Sequence, residues 1–434
     1  MEQTEHRQKK PKQSSNAKKT KTSKKPQKAK KKQSANEKFL SVLKTISILA
    51  IVFVLLMVAA KRFGDITFSS VGDYFNTLIS GVKSGDGYPY LFDHQDVKKV
   101  LSVGNELFDL TADETYTLDT TARTIGKAQH SYSAPIAVTA GGRTLLLDVG
   151  EQNYRVQSKT DVLYEGTFPQ KLLNGAISKS GHIALASRGA HSQTMLTVLN
   201  KHQKEIFTWS CATENIVALA ISDNGKRVAA SVVGAEDGEL YSKVYVFDIH
   251  KQDPLLCVNY KDVIPYVTFL QGNRVLVAGN NVFDIYTGNE PTVSEDLQVN
   301  TFSRMYTSEN KYTLAVFAKY GSSSTQIVKA YDKKGELLFT TELQDNVKGV
   351  STDGTTFSVL SDTALYHLNR DGELLGKIPV EAGCVAPFTK GKQTYVWTVG
   401  GIERFKTTYS AENVETQTTE PISLEDSPFS EPTT

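Results

Sequence analysis

From about residue 88 onward one unit recurs eight times: an apolar run, a tight turn, then a second run closing on a polar residue. RTLLLDVG with QNYRVQS, RVLVAGN with NVFDIYTG, and TFSVLSD with TALYHLNRDG are typical instances. The second runs close at Asp109, Gln157, Asn200, Asp248, Asp284, Asp332, Asn369 and Lys406, a mean spacing of about 42 residues. No unit of this size can cover its own apolar faces, so such units stack, and a period of ~40–45 with four short strands marks a propeller blade. The expected fold class is therefore all-β, a β-propeller of eight blades, with seven as the alternative if the first unit is not a separate blade. The first strand of each hairpin is almost continuously apolar, as in Leu145-Leu146-Leu147 and Val275-Leu276-Val277. That predicts an inner strand covered on both faces by neighbouring blades. The closing Asp and Asn residues are expected to accept amides of the following turn. Seven turns, from Gly141-Gly142 to Gly391, precede eight hairpins, which predicts that the ring closes by pairing strands from both ends of the domain.

The flanks differ from this body. Residues 1–38 hold fourteen Lys/Arg and three acids, a net +11, so the other residues carry −9 within a total of +2. A stretch of Lys, Gln, Ser and Thr cannot bury enough apolar surface to fold alone, and reads as a disordered head. Thr45 to Ala60 runs without a charge; extended back to Phe39 it spans about 33 Å, enough for a hydrocarbon core. A transmembrane helix is thus expected at 39–62. With fourteen basic residues before it and Lys61 and Arg62 just after, the N terminus is predicted cytoplasmic and the remainder exported. Signal-peptide cleavage after Ala60 is the rival reading. The basic head should attract anionic lipid; nucleic acid is the less favoured partner, since no aromatic residues interleave the charges. A connector at 63–87 contains VGDYFNTLISGV, whose apolar residues share one helical face. The propeller is expected over 88–410, and 411–434, with six acids and three prolines, reads as a disordered tail.

Several stretches together resemble a known family: the basic head with its apolar segment, SGDGYP at 84–89, QHSYSAP at 129–135, LLLDVGEQNYRVQSKTDVLYEG at 145–166 and SDTALYHLNRDGELL at 361–375. It is a family of single-pass membrane proteins of Gram-positive bacteria with an exported β-propeller-like domain of unknown function. The stretch 129–166 is the most specific part. The resemblance implies a membrane-tethered propeller and transfers no catalytic residue. ISDNGKRVA at 221–229 looks like the turn of TolB-like and WD40-like blades, and NKHQKEIFTW at 200–209 like a quinoprotein blade repeat.

Candidate chemistry is sparse. Cys211, Cys257 and Cys384 form no metal-ligand spacing; free, largely buried thiols are expected, although Cys211 and Cys257 occupy similar places in successive repeats and a bridge between them is conceivable. His6, His94, His130, His182, His191, His202, His250 and His367 are scattered, each expected on a surface or loop. His130, inside QHSYSAP, is singled out, with a turn-stabilising role preferred to ligand binding. STDGTTF at 351–357 resembles a structural Asp-box turn, and the acids near Asp237 read as a solvated hairpin loop rather than a calcium site. Trp209 and Trp397 are too few to dock a quinone in every blade. No catalytic, cofactor-binding or metal residue is assigned and no cofactor is expected. The expected role is a non-enzymatic interaction or scaffold module of the cell envelope, presenting loops to a protein or glycan. The alternative is an exported glycan-active or quinoprotein-like enzyme working from the propeller channel.

Overall fold

The computed structural model describes residues 85–407, apart from 94, 95, 296, 298, 299 and 320–324, together with the isolated helical position Ser47. The basic head, the rest of the apolar segment at 39–62, the amphipathic stretch at 71–82 and the acidic tail lie outside the described residues. No helix among the described residues is long and apolar enough to cross a membrane.

The described chain forms eight antiparallel four-stranded sheets. They are blades 1 (99–129), 2 (135–167), 3 (172–211), 4 (215–260), 5 (266–294), 6 (300–343), 7 (347–379) and 8 (384–406). The eight-blade reading holds. In each blade the strands follow sequence order, and at six of the eight junctions the first strand touches the first strand of the next blade around the channel. Blade 8 departs from this, because its outermost strand is Tyr90–Leu91. Tyr90 pairs with Ile402 and Leu91 with Gly401, so the ring is closed by chain from both ends, as the sequence predicts.

Seven of the eight apolar runs are the second strands of their blades, and the run over Arg143–Asp148 is an inner strand covered on both faces, as expected. Leu145, Leu146 and Leu147 in Arg143–Asp148 are fully buried. Leu145 and Leu147 pack with Leu172 and Ile183 of blade 3, while Leu146 packs with Phe108 and Leu110 of blade 1. Side chains alternate across a strand, so a strand buried on both faces must be apolar at every position. Each such Leu contributes roughly 1.5–3 kcal/mol. The innermost strands are mixed, since one edge faces the channel.

The first unit also has a different phase. Its Lys99–Val103/Glu106–Leu110 hairpin joins first and second strands, whereas the other seven hairpins join second and third. Gly104-Asn105 is therefore the eighth turn of the set that the sequence shows seven times. Asp119, not Asp109, is the turn-capping residue of blade 1: its Oδ1 accepts from Thr121 N and Arg123 N at 2.8 and 3.1 Å. Asn200, Asp332 and Asn369 make the same two-amide cap, as expected. Asp284 does not; its carboxylate accepts instead from Ser294 Oγ and Tyr260 OH.

Candidate functional site

Two polar constellations stand out. The first is an open groove of about 690 Å³ lined by Gln129–Tyr132, Asn153–Arg155 and Glu165–Thr167. One wall is the segment leaving the outermost strand of blade 1, and the other is the outer hairpin of blade 2. Tyr154 faces Gly166 across that hairpin, and a Cβ at Gly166 would stand 2.4 Å from the Tyr154 ring. Glycine here lets the tyrosine lie flat against the opposite strand.

His130 sits where the walls meet. Its N–H donates to Asp113 O at 2.7 Å, and its Nδ1 accepts from Tyr132 N at 3.3 Å, so it does hold the turn. The neutral ring then carries its proton on Nε2. That atom is buried and lacks a hydrogen bond of normal length, with the Thr111 carbonyl still acting on the ring. Burial first, then the Arg155 charge, lowers the His130 pKa, against the pull of Asp113.

Arg155 is 7 % exposed. Its Nε donates to Glu165 Oε1 at 2.5 Å and its Nη2 to Gln129 O at 2.7 Å. Its Nη1 is buried and meets no acceptor. The Glu165 side chain is 55 % exposed. Burial pushes the Tyr132 hydroxyl up to about 12, so it remains an uncharged donor and acceptor.

The second constellation closes one mouth of the channel, where turns between first and second strands converge. Glu309 of blade 6 reaches across: its Oε1 accepts from Gly104 N of blade 1 at 3.0 Å, and its carbonyl accepts from Lys179 Nζ of blade 3 at 2.7 Å. Asp223 of blade 4 is held between Lys179 and Lys311 at 3.0 and 2.9 Å. Burial alone would raise the Asp223 pKa, but the two lysines hold it below the usual range. Lys159 pairs with Glu106 at 2.5 Å, and Lys390 of blade 8 donates to Ser102 Oγ and the Gly104 carbonyl of blade 1. Each of these acids has its lysine or amide, and these bonds tie blades across the channel.

The remaining sequence candidates are structural. Cys211 and Cys384 are buried free thiols and Cys257 is exposed on an outer strand, so the conceivable bridge is absent. His191, His202 and His250 are exposed, whereas His367 is fully buried within Ala364–Leu368, its Nε2 3.1 Å from Thr394 Oγ1. It is a core residue, contrary to the surface expectation. Asp353, in the Asp-box-like segment, caps its own turn through Thr355 N and Thr356 N. Asp237 is an exposed hairpin residue at φ 51°. Trp209 packs on Tyr245 and Phe247. Among the described residues no cluster of three metal-ligating side chains occurs. Arg155 and Glu165 escaped the sequence reading; the signal was an arginine inside the otherwise buried strand Asn153–Gln157.

A family profile described as "Family of unknown function (DUF5711)" matches residues 90–407. The chain belongs to that family. The match spans all eight blades of this DUF5711 domain, including both walls of the groove. No protein of curated function matches the chain. Solved propellers do. The C-terminal WD40 domain of Sif2 is 11 % identical with TM-score 0.52, covering 73 % of this chain and 98 % of that one. Sqt1 from Saccharomyces cerevisiae is 10 % identical with TM-score 0.53, covering 75 % and 100 %. Sqt1 from Chaetomium thermophilum, bound to the N-terminus of the ribosomal protein L10, is 13 % identical with TM-score 0.51, covering 74 % and 100 %. At these identities the likeness gives the fold alone.

Proposed function

We propose that this chain is a membrane-anchored, extracytoplasmic propeller that serves the cell envelope as a non-enzymatic interaction module, docking its partner in the groove between blades 1 and 2. The observation that carries this reading is the groove itself, a polar cleft of about 690 Å³ that holds a nearly buried arginine with an unmet donor. Ligand sites are usually concave and of about this volume. The apolar segment at 39–62 and the preceding net charge of +11 support an anchor with its N terminus in the cytoplasm, where the head attracts anionic lipid. Catalysis from the channel is the weaker reading, because Asp223, Glu106 and Glu309 at the mouth are already committed to lysines or amides.

In cells, a photo-crosslinking residue placed at exposed Ser131 on the groove rim should capture an envelope protein or glycan. The same residue at exposed Lys334, on the outer turn of blade 6, should not. No capture at 131, or equal capture at both positions, would reject the groove as the docking site.

A further inference from the structure

We infer that the groove between blades 1 and 2 takes a carboxylate-bearing saccharide, whose acid group displaces Glu165 from Arg155; this rests on the docking role proposed above for the same groove. Three features of the groove converge on that chemistry.

The first is the state of Arg155. A guanidinium has five N–H donors and no acceptor, and matches a carboxylate through two parallel bonds. Here Glu165 meets it through one oxygen on Nε, Gln129 O takes Nη2, and Nη1 meets nothing. The guanidinium is thus fixed in place but incompletely served. The second is Glu165, whose side chain is mostly in water while its partner is nearly buried, with exposures of 55 % and 8 %. An exposed carboxylate on a buried arginine is readily exchanged, since swinging outward returns it to solvent. A ligand carboxylate entering there replaces one acid by another and keeps the arginine compensated.

The third is the rest of the lining, which separates a sugar from a peptide. Beside the charged pair stand paired donors and acceptors: Thr167 Oγ1 donates to Asn153 Oδ1 at 3.2 Å, and Gln129 Nε2 to Glu114 Oε1 at 3.3 Å. Both bonds are exposed and long, so hydroxyls of a ligand can replace them at little cost. Tyr132 is half-buried against His130, with ring centroids 5.3 Å apart, and offers an amphipathic surface to a sugar ring. No apolar recess accompanies them to accept a peptide side chain; the lining residues are polar or aromatic apart from Gly166.

The test uses the full chain in detergent micelles and titrates three probes. They are a tetrasaccharide of alternating glucuronate and N-acetylglucosamine, the same tetrasaccharide with its carboxyls reduced to alcohols, and tetraglutamate. The acidic sugar should bind at least tenfold more tightly than either of the others. Glu165→Gln should tighten it about threefold or more by removing the competitor, while Arg155→Gln should lose at least tenfold. Since Arg155→Gln can disturb the blade, Glu165→Gln on the exposed side of the pair keeps the test independent of folding. Equal binding of the reduced sugar, preference for tetraglutamate, or no effect of Glu165→Gln would overturn the assignment. If those results accompany continued crosslinking at Ser131, the saccharide alone is wrong; if that crosslink is also absent, the docking role falls with it.

Discussion

Asp109 and His367 are buried ionisable side chains on strands of blades 1 and 7, and each is held neutral by its surroundings. Neither Asp109 oxygen has a hydrogen-bonding partner, and burial pushes its carboxyl from 3.8 up to about 8. Between those values the folded protein keeps a proton that the unfolded chain has released, so stability falls as pH rises. Burial lowers His367 from 6.5 to about 4, and there the unfolded chain binds a proton that the folded state refuses, so stability rises with pH. Each slope is on the order of 1.4 kcal/mol per pH unit. They oppose one another from about 4 to 6.5, where the lowered His130 and His182 act on the side of His367, and above 6.5 the Asp109 slope remains. Acids such as Glu214, held at about 2 chiefly by the Cys211 thiol, act mainly below that window. Urea unfolding should therefore show a loss of about 2 kcal/mol between pH 6.5 and 8. Asp109→Asn should abolish the loss and uncover a decline below 6.5 from His367. A loss above 6.5 that survives in Asp109→Asn would reject the assignment. Neither burial was legible in the sequence: Asp109 occupies the place where other units end in a turn cap, and a lone histidine carries no sign of its depth.

Between strands, the legible part was whatever repeats. Hairpins and turn caps rest on local chemistry, so Asn200, Asp332 and Asn369 could be placed from spacing alone. The phase within a blade was not legible, because both the first hairpin of blade 1 and the second hairpins of the others read as apolar run, turn, run. What settles it is which neighbour covers each face, a fact of packing between distant segments. The contacts that lock the ring are equally non-local. Glu309 serves Gly104 from 205 positions away, and Glu309→Ala should cost about 1–3 kcal/mol by leaving that amide without its acceptor. Hydrogen exchange at Gly104 should accelerate, whereas unchanged protection there would deny the bond. At the ring closure, a Cβ on Gly401 would stand 2.1 Å from the Tyr90 carbonyl. Gly401→Ala should push the Tyr90–Leu91 strand away and lower the melting temperature, with the Tyr88–Tyr395 ring contact at 4.8 Å loosened in the same step. A melting curve identical to wild type would show that this pairing does not hold the seam.

At the scale of the whole molecule, eight blades follow from a period in the sequence, but the groove does not, since it joins residues of two blades through a turn whose geometry no spacing encodes. The stretch 129–166 carries both walls, and what it forms emerges when blade 2 packs against blade 1. The proposed topology has a direct check: protease added to intact, wall-stripped cells should remove the propeller and spare residues 1–38. The reverse pattern would invert the orientation argued from the flanking charges. The closure of blade 8 also sets an order of events during synthesis. Tyr90 and Ile402 stand 312 positions apart, so the strand that shuts the ring leaves the ribosome roughly 15–60 s before its partner, at ~5–20 residues per second. Through that interval blades can form one after another while the first remains without its closing neighbour. A two-residue strand is a poor template for wrong pairing, which keeps the waiting end from capturing another chain's edge.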